Sequence, residues 1–516
     1  MKKRLICFLL LLCMLLPMAF ACSKDEEGGV EESSVSDVES STESETENKY
    51  DVYDNLGDVD LGGRKITIAS VDRSWYDDEI DVARNTGNIV NDAIYKRNML
   101  VEKRMNINIE SIRLGNRGND SGIQYAVVND LRRNAGSGIH SYDIISAPVY
   151  CTIMYTGENL FHDLKDLDAI DFDQVYWSQL FNETASIGES QYMATGAISL
   201  SYYRFIFATY VNNNVLATKA DAPDLVQVVK DGKWTLEYQR ILANQYYVNV
   251  GDSSKDEQDT FGHVTSEYLN VDPYWSSCEI SILKKNDANY YEYDLNTDRL
   301  SGVVDLLIQA FTDNGTFCYR PDGTDETGNG EQEDIAKKFA SGTALMATIR
   351  LIEAENEHIR DMKDPYTILP IPRWSEDQDN YYSFVHDSFT GVAVPSTSTK
   401  DDAQVFGQVL EAMASESYRT VTPAYYETAL KVRYSGSAAS WDMLDMITEN
   451  VYMDGGVLYT KKLKNVHQLF RSIMVNAYRN GKGNTVSSTY SPNYGESVKV
   501  ELATLQDSIK ALKTAQ

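Results

Sequence analysis

The sequence predicts an α/β fold that is divided between two lobes. In its first third, short apolar segments alternate with amphipathic helical segments. Strand, helix, strand, helix, strand in that order predicts a parallel sheet with helices on its faces. About 455 residues follow the N-terminal leader and acidic segment, which is more than one compact core usually holds. Two lobes are therefore expected.

Each element is predicted from its hydrophobic period, which is two residues in a strand and 3.6 residues in a helix. Near the N-terminus the elements are a strand at 65–69 after Gly62-Gly63, a helix with Val90, Ile94, Val101 and Met105 on one face, a strand at 108–112, a helix at 123–133 and a strand at 142–146. Further along, strands are predicted at 344–349 and 367–369, and helices near 405–413, 466–477 and 498–512. No internal repeat is visible.

The N-terminus carries the pattern of a secretory signal. Basic residues 2–4 precede an apolar run at 5–16, and the small residues of Ala19-Phe20-Ala21 precede Cys22. The apolar run is shorter than the roughly 20 residues that span a bilayer. The segment resembles a bacterial lipoprotein signal, although Ala19 stands where leucine is usual. The resemblance implies a signal peptide at 1–21 and a diacylated Cys22 on the extracellular face of the cell membrane. An ordinary signal peptide is the alternative.

An acidic, serine-rich stretch follows the cysteine. Between Ser23 and Asp60 there are 14 acidic residues and two lysines. Such a composition buries too little apolar surface to offset the entropy of ordering, and like charges extend the chain. We therefore predict a disordered tether over 22–62 that lifts a folded body away from the membrane. An acidic interaction tail is the alternative.

Net charge excludes one class of partner. The chain has a formal net charge of −30 at pH 7, whereas nucleic-acid recognition needs a basic surface. Electrostatic adhesion to anionic lipid headgroups is disfavoured for the same reason. High negative charge favours solubility and little non-specific association, and a monomer is expected.

Cysteine and histidine spacing predicts neither a disulfide framework nor a metal site. Besides Cys22, the mature chain has Cys151, Cys278 and Cys318, an odd number with no CxxC spacing. Either Cys278 and Cys318 pair, or all three are buried thiols. Six histidines are scattered without HxH or HExxH spacing. No cofactor is predicted.

Short motifs follow one another in a characteristic order from about Arg64 to the end of the chain. They are Tyr142-Asp143-Ile144-Ile145, the segments 197–204 and 210–214, Gly232-Lys233-Trp234-Thr235, the segment 339–346, Ile368-Leu369-Pro370-Ile371-Pro372 and the segment 387–395. Their order and spacing resemble those of the extracellular solute-binding proteins of ABC importers, in particular the group 1, largely carbohydrate-binding class.

The resemblance implies a two-lobed, periplasmic-binding-protein-like fold with three hinge crossovers and a ligand cleft between the lobes. Lobe one would comprise 64–200 and 393–440, and lobe two 201–392 and 441–516. Binding would close the lobes by hinge motion, and the closed form would dock on the transmembrane subunits of an ABC permease. The tether would hold the receptor near that permease at a high effective concentration.

Candidate ligand contacts are chosen by position, at strand ends and crossovers. Sugars present apolar faces and a rim of hydroxyls, so their sites need aromatic platforms and a few placed polar groups. The candidates are Trp75, Tyr76, Tyr150, Tyr202, Tyr203, Arg204, Trp275, Arg350 and Asp387. Trp275 is expected in a loop.

Two arginines bear on the charge of the ligand. Arg350 ends an apolar strand and either contacts the ligand or pairs with Glu353 or Glu355. If Arg204 and Arg350 both face the cleft, an anionic sugar or another carboxylated solute is favoured, because arginine binds carboxylates through two hydrogen bonds. Neutral sugar, acidic sugar and peptide stay open.

His386-Asp387 has the composition of a catalytic dyad. Adjacent residues on an extended segment point to opposite faces, so no catalytic role is predicted, and Asp387 is expected to bind the ligand by a hydrogen bond. The function predicted is a non-enzymatic receptor for solute uptake, most consistent with a carbohydrate. One alternative is a lipid-anchored hydrolase or lyase, which needs two carboxylates across the scissile bond. Another is a polysaccharide-tethering surface lipoprotein, which needs a flat aromatic platform.

Overall fold

Two β-sheets covered by helices organise the chain. The structure is a computed structural model that describes residues 48–72, 79–82, 87–115, 122–251, 254–320, 329–434 and 439–515. The predicted signal peptide, Cys22, Trp75 and Tyr76 lie outside the described residues. Among the helices of the described part, none is both long enough and apolar enough to cross a membrane.

Eleven strands are labelled here in chain order. They are β1 (Arg64–Val71), β2 (Ile107–Leu114), β3 (Ile144–Pro148), β4 (Phe207–Asn212), β5 (Phe261–Ser266), β6 (Leu283–Lys285), β7 (Tyr291–Tyr293), β8 (Thr316–Tyr319), β9 (Ala344–Arg350), β10 (Tyr366–Leu369) and β11 (Thr390–Ala393).

Helices of very different length connect these strands. In order, the α-helices span Ile89–Met105, Ala126–Ser137, Val149–Thr152, Gln179–Ala185, Leu200–Arg204, Asn213–Leu216, Leu225–Lys230, Leu236–Gln245, Pro273–Ser277, Thr297–Thr312, Asn329–Ala340, Glu357–Arg360, Lys400–Pro423, Ala439–Glu449, Gly455–Leu458, Leu469–Asn480, Val486–Thr489 and Pro492–Ala515. A π-helical segment covers Ala424–Tyr434.

The first sheet has the order β11-β3-β1-β2. β1 lies parallel to β2 and β3, and β11 lies antiparallel to β3. Alternate residues of β1, Ile66 and Ile68, are buried in a core with Phe406 and Val409 of the helix Lys400–Pro423. The parallel sheet predicted for this part of the chain is confirmed.

The second sheet has the order β10-β4-β9-β5-β8. β5 lies parallel to β8 and β9, whereas β4 is antiparallel to β9 and β10. All residues of β4, β5 and β9 are buried, as expected for strands that helices cover on both faces. The predicted strands at 344–349 and 367–369 correspond to β9 and β10.

Two of the three crossovers between the sheets run side by side. The backbone N–H of Phe207 donates to the carbonyl of Phe384 at 3.0 Å, and that of His386 donates to the carbonyl of Phe205 at 3.0 Å. The third crossover passes from the helix Lys400–Pro423 on the first sheet towards the helix Ala439–Glu449. There Ser440 Oγ accepts a hydrogen bond from the backbone of Ile368 in β10 at 3.2 Å. The predicted fold, two α/β lobes joined by three crossovers, is confirmed, and the predicted lobe boundaries stay predictions.

A carboxylate joins the first lobe to these crossovers. Glu79 accepts hydrogen bonds from Thr390 Oγ1 at 2.6 Å and from the backbone N–H of Ser201 at 2.5 Å. Burial raises the pKa of Glu79 to about 7. Ser201 lies just before the crossover at 205–207, and Thr390 begins β11 just after the crossover at 384–387. Glu79 therefore ties the ends of two crossovers to the segment that follows β1.

The hairpin of β6 and β7 contacts the segment 183–188, which precedes the first crossover. Lys285 Nζ donates to the carbonyl of Ser186 at 2.7 Å, and the hydroxyl of Tyr291 donates to the carbonyl of Thr184 at 2.6 Å. The backbone N–H of Gly188 donates to the carbonyl of Asn289 at 2.9 Å. A connection separate from the crossovers therefore joins this hairpin to lobe one.

Residues 49–62 pack against the folded body. The Tyr50 hydroxyl donates to Glu427 at 2.7 Å, and Arg104 donates to Asp54 at 2.7 and 2.5 Å. Val52, Leu56, Val59 and Leu61 pack on the core of the first sheet. The predicted tether, 22–62, includes this stretch, and its packing places 49–62 in the folded body. The four apolar residues spaced along this stretch provide buried surface, although the composition of the whole segment is acidic and polar.

Candidate ligand-binding site

Residues from both lobes meet around Asp387, which precedes β11. In lobe one, the backbone N–H of Tyr150, directly after β3, donates to the carbonyl of Asp387 at 3.2 Å. In lobe two, Asp272 follows β5, and Arg471 is bonded to it. The charges of Arg471 and Asp272 both act on the carboxyl group of Asp387. Loops after strands of both sheets therefore converge at one position, as in open α/β sheets that bind ligands at their carboxyl ends.

The carboxylate of Asp387 is buried without full compensation. The residue is 5% exposed, and its Oδ2 has no hydrogen-bond partner in the described structure. Burial raises its pKa to about 6, although Arg471 and Lys461 act in the opposite direction. A buried polar atom without a partner costs about 1–3 kcal/mol and calls for an explanation, such as a bound ligand.

A small cavity lies against this carboxylate. Its volume is about 10 Å³, room for about one water molecule. Its lining includes Asp387, Ser276, Phe384, Phe389 and Tyr452. The site in this conformation is therefore nearly closed, with aromatic walls beside one unpartnered carboxylate oxygen.

An ion pair fixes the second lobe's side of the site. Nε of Arg471 lies 2.9 Å from Oδ1 and 3.0 Å from Oδ2 of Asp272, and its Nη2 also donates to Oδ2. Both side chains are buried. Breaking a buried pair by removing one partner is strongly destabilising, so this pair is a rigid support for the neighbouring groups.

Two further side chains, which lie behind Phe384 of the cavity lining, have polar atoms without partners. Trp275 and His467 are fully buried, and their ring centroids are 5.1 Å apart. The indole Nε1 of Trp275 and both ring nitrogens of His467 have no hydrogen-bond partner in the described structure. Burial lowers the pKa of His467 to about 4, so the imidazole is neutral at pH 7. Its ring stacks on that of Phe384, 5.6 Å away, which lines the cavity.

The two predicted arginines are neutralised within lobe two. Arg204 donates two hydrogen bonds to Glu355, at 2.9 and 3.0 Å. Arg350 donates to Oε1 of Glu353 at 3.2 and 2.8 Å. The open choice for Arg350 therefore resolves to a salt bridge with Glu353, and the condition for an anionic ligand, two arginines available to the cleft, is not met.

The predicted tyrosines lie at different depths. Tyr202 is buried, and its hydroxyl accepts a hydrogen bond from Ser178 at 3.2 Å. Tyr203 is half-buried against Tyr202, with ring centroids 5.6 Å apart. Tyr150 is half-buried and is the tyrosine whose backbone contacts Asp387. Its position favours a ligand contact more than those of the other two.

Two geometric predictions are wrong. Trp275 lies in the helix Pro273–Ser277, not in a loop. His386 and Asp387 do not point apart, since His386 Nε2 lies 3.6 Å from Asp387 Oδ1. Burial lowers the pKa of His386 well below its ordinary value, with the charges of Arg471 and Arg350 acting in the same direction. His386 Nδ1 is bonded to the hydroxyl of Ser388, but an imidazole of such low pKa is a weak base and 3.6 Å exceeds a hydrogen bond.

Sequence reasoning missed Asp272, His467 and Arg471. Asp272 immediately precedes Pro273, which is a usual place for a helix-capping residue and therefore gave no functional signal. Arg471 lies 199 residues away from Asp272, and no local pattern links them. Only the folded chain brings these residues to Asp387.

Metal ligands and a disulfide are not found in the described part of the chain. It has no group of three His, Cys, Asp or Glu residues placed to hold a metal ion. Cys151, Cys278 and Cys318 are buried free thiols, so the possible pairing of Cys278 with Cys318 is not formed. Burial raises the pKa of Cys278 to about 12, which makes it unreactive.

Comparison with known proteins identifies the fold. No family model matches the sequence, and no curated protein matches it. A cyclo/maltodextrin-binding protein solved with maltotetraose is similar in structure, with a TM-score of 0.53 over 86% of this chain and 97% of that chain, at 9% identity. The predicted solute-binding-protein fold is confirmed. The galacto-N-biose-/lacto-N-biose I-binding protein of the ABC transporter from Bifidobacterium longum, solved with lacto-N-biose, gives a TM-score of 0.52 over 86% and 98%, at 10% identity.

Replacing the buried carboxylate by an amide is expected to stabilise the protein without ligand. Asp387→Asn should raise the free energy of unfolding at pH 8 by about 1–3 kcal/mol, because it removes a buried charge while keeping the shape. The folded pKa, about 6, lies above the ordinary aspartate value of 3.8. At low pH the wild-type carboxyl group is protonated, and the cost of burying its charge is absent. The gain in free energy of unfolding from Asp387→Asn should therefore shrink as the pH falls through 6. Urea denaturation at pH 8 and pH 5 measures both values.

Asp272→Asn is the matched control. It leaves Arg471 buried without its counter-ion and should lower the free energy of unfolding by about 3–5 kcal/mol. Equal losses in the two variants at pH 8 would contradict the view that Asp387 lacks a compensating partner.

Proposed function

We propose that this chain is an extracellular receptor that captures a carbohydrate between its two lobes and delivers it to an ABC permease. The observation that carries the proposal is the set of buried polar atoms without partners at the meeting point of the lobes. These belong to Asp387, Trp275 and His467. The fold agrees with the proposal, because two proteins of this fold bind sugars.

The chemistry of these three groups matches sugar hydroxyls. A hydroxyl both donates and accepts. Asp387 Oδ2 accepts from one hydroxyl, the indole N–H of Trp275 donates to another, and the neutral imidazole of His467 does both. Apolar ring faces in the same place, including Phe384 and Phe389, suit the C–H faces of a sugar ring.

The position of Asp387 links binding to movement of the lobes. His386, the residue before it, is hydrogen-bonded to the carbonyl of Phe205 on the other crossover. A sugar that contacts Asp387 and the lobe-two groups favours the closed conformation, in which both lobes surround it. The size of this preference is set by the difference between the sugar's affinities for the closed and the open conformation. The sugar enters the site when the lobes are open.

The N-terminal segment supplies the location. A diacylated Cys22 anchors the receptor, which is a monomer, to the extracellular face of the membrane. The acidic stretch from Cys22 to residue 48 is the tether. A tethered receptor meets the permease at a concentration set by the reach of the linker.

A receptor explains the site better than an enzyme does. A glycoside hydrolase needs two available carboxyl groups across the scissile bond. Here Asp454, the other carboxylate that lines the cavity, accepts hydrogen bonds from the backbone N–H groups of Ile282 and Gly456. Asp272 has both oxygens bonded to Arg471, and His386 is a weak base. A polysaccharide-tethering surface needs a flat exposed aromatic platform, whereas Trp275 and Phe384 are buried.

A binding sugar is expected to raise the melting temperature and to be recovered unchanged. Differential scanning fluorimetry across neutral mono- and oligosaccharides, including maltotetraose and lacto-N-biose, measures the shift, and chromatography of the mixture measures the sugar. Consumption of the stabilising sugar would favour the hydrolase, and no shift across the panel would contradict the receptor.

Trp275→Phe tests the proposed indole donor. Loss of one hydrogen bond of about 1.4 kcal/mol should weaken binding of the stabilising sugar about tenfold, as measured by isothermal titration calorimetry. Trp234→Phe is the control, because its buried indole donates to the carbonyl of Pro370 at 2.9 Å within lobe two. That variant should lose stability and keep its affinity. A Trp275→Phe protein with unchanged affinity would remove Trp275 from the site.

A further inference from the structure

In the described part of the chain, three arginines near the proposed site are each paired with a carboxylate. Arg471 is paired with Asp272, Arg204 with Glu355 and Arg350 with Glu353. Each pair lies within lobe two, so its geometry does not depend on closure. A carboxylated ligand would have to displace one of these carboxylates and leave it partly buried without a partner, which is strongly unfavourable.

The other charges at the site are also balanced. Lys461 is half-buried, its Nζ is bonded to Oε1 of Gln468 at 2.9 Å, and its charge is opposed by that of Asp387. His386 and His467 are neutral at pH 7, because burial lowers both of their pKa values. A ligand that carries a negative charge would add an unbalanced one beside the Asp387 carboxylate.

The atoms that lack partners determine which chemical groups of a ligand the site can bind. The oxygen Oδ2 of Asp387 accepts a hydrogen bond and repels an anion, and the Trp275 indole supplies one neutral donor. The nitrogens of His467 give one donor and one acceptor. None of these groups offers the paired, charged donors by which proteins bind carboxylates or phosphates.

We infer that the site takes an uncharged, hydroxyl-rich ligand and rejects its carboxylated analogue, an inference that rests on the proposed function and narrows its substrate class to neutral sugars. Asp387 is the specificity-determining residue: it accepts a hydrogen bond from a ligand hydroxyl, and it repels a ligand carboxylate placed at the same position. Like charges in contact across an interface are an established means of rejecting the wrong partner.

Paired titrations test this with the full mature chain. Each neutral sugar that binds, from a panel of hexoses, maltotetraose and lacto-N-biose, is compared by isothermal titration calorimetry at pH 7.5 with the same sugar oxidised to the carboxylate at C6. We expect the acid to bind about a hundredfold more weakly than the neutral sugar. An acid that binds as tightly as, or more tightly than, its neutral partner would overturn the inference and leave the receptor intact. Binding of neither class would overturn the receptor and this inference with it.

A variant tests whether Asp387 causes the discrimination. Asp387→Asn should weaken the neutral sugar about tenfold and reduce the preference for neutral over acidic sugar by a factor of about ten or more. Asp361→Asn, which changes an exposed carboxylate on lobe two, is the matched control and should leave the preference unchanged. An unchanged preference in Asp387→Asn would overturn the role given to Asp387, while the wild-type comparison still decides the class of ligand.

Discussion

Backbone hydrogen bonds between two crossover segments hold this structure together. Phe207 and His386 each donate to a carbonyl on the opposite segment. The two segments that connect the sheets therefore form one narrow ribbon between the lobes. Because Asp387 follows His386 on this ribbon, its place is set by the same bonds. The loops after β3 and β5 then meet at Asp387, and the position of the proposed ligand site is a consequence of how the lobes are joined.

The site combines rigid support with uncompensated groups. Asp272 and Arg471 are hydrogen-bonded to each other through Nε and Nη2 of the arginine, whereas Asp387, Trp275 and His467 keep buried atoms without partners. Natural proteins violate the rule of hydrogen-bond satisfaction mainly at functional positions. The contrast between these neighbouring groups separates the part that holds the site in shape from the part that we propose recognises a ligand. It also explains why the arginines, which look like ligand contacts in the sequence, are structural.

Much of the fold could be predicted from the sequence, because its signals are local. The β-branched run Ile66-Thr67-Ile68 after Gly62-Gly63 predicts β1, and the strand and helix order predicts a parallel sheet. The packing of 49–62 could not be predicted, since Leu56 and Leu61 are dispersed among carboxylates. Pairings such as that of Asp272 with Arg471 depend on contacts almost 200 residues apart, and the partner of Arg350 had two equally suitable candidates nearby. The Asp387 position was predicted from its place beside a crossover, but its unpartnered state is a tertiary property.

We propose that a neutral sugar binds between the lobes and holds them closed. Small-angle X-ray scattering of the mature protein, with and without the sugar that gives the largest thermal shift, tests it most directly. We expect the radius of gyration to fall on binding, as two lobes that sample open conformations without ligand close around it. An unchanged radius of gyration at saturating sugar, with binding verified in the same sample by calorimetry, would contradict capture between moving lobes.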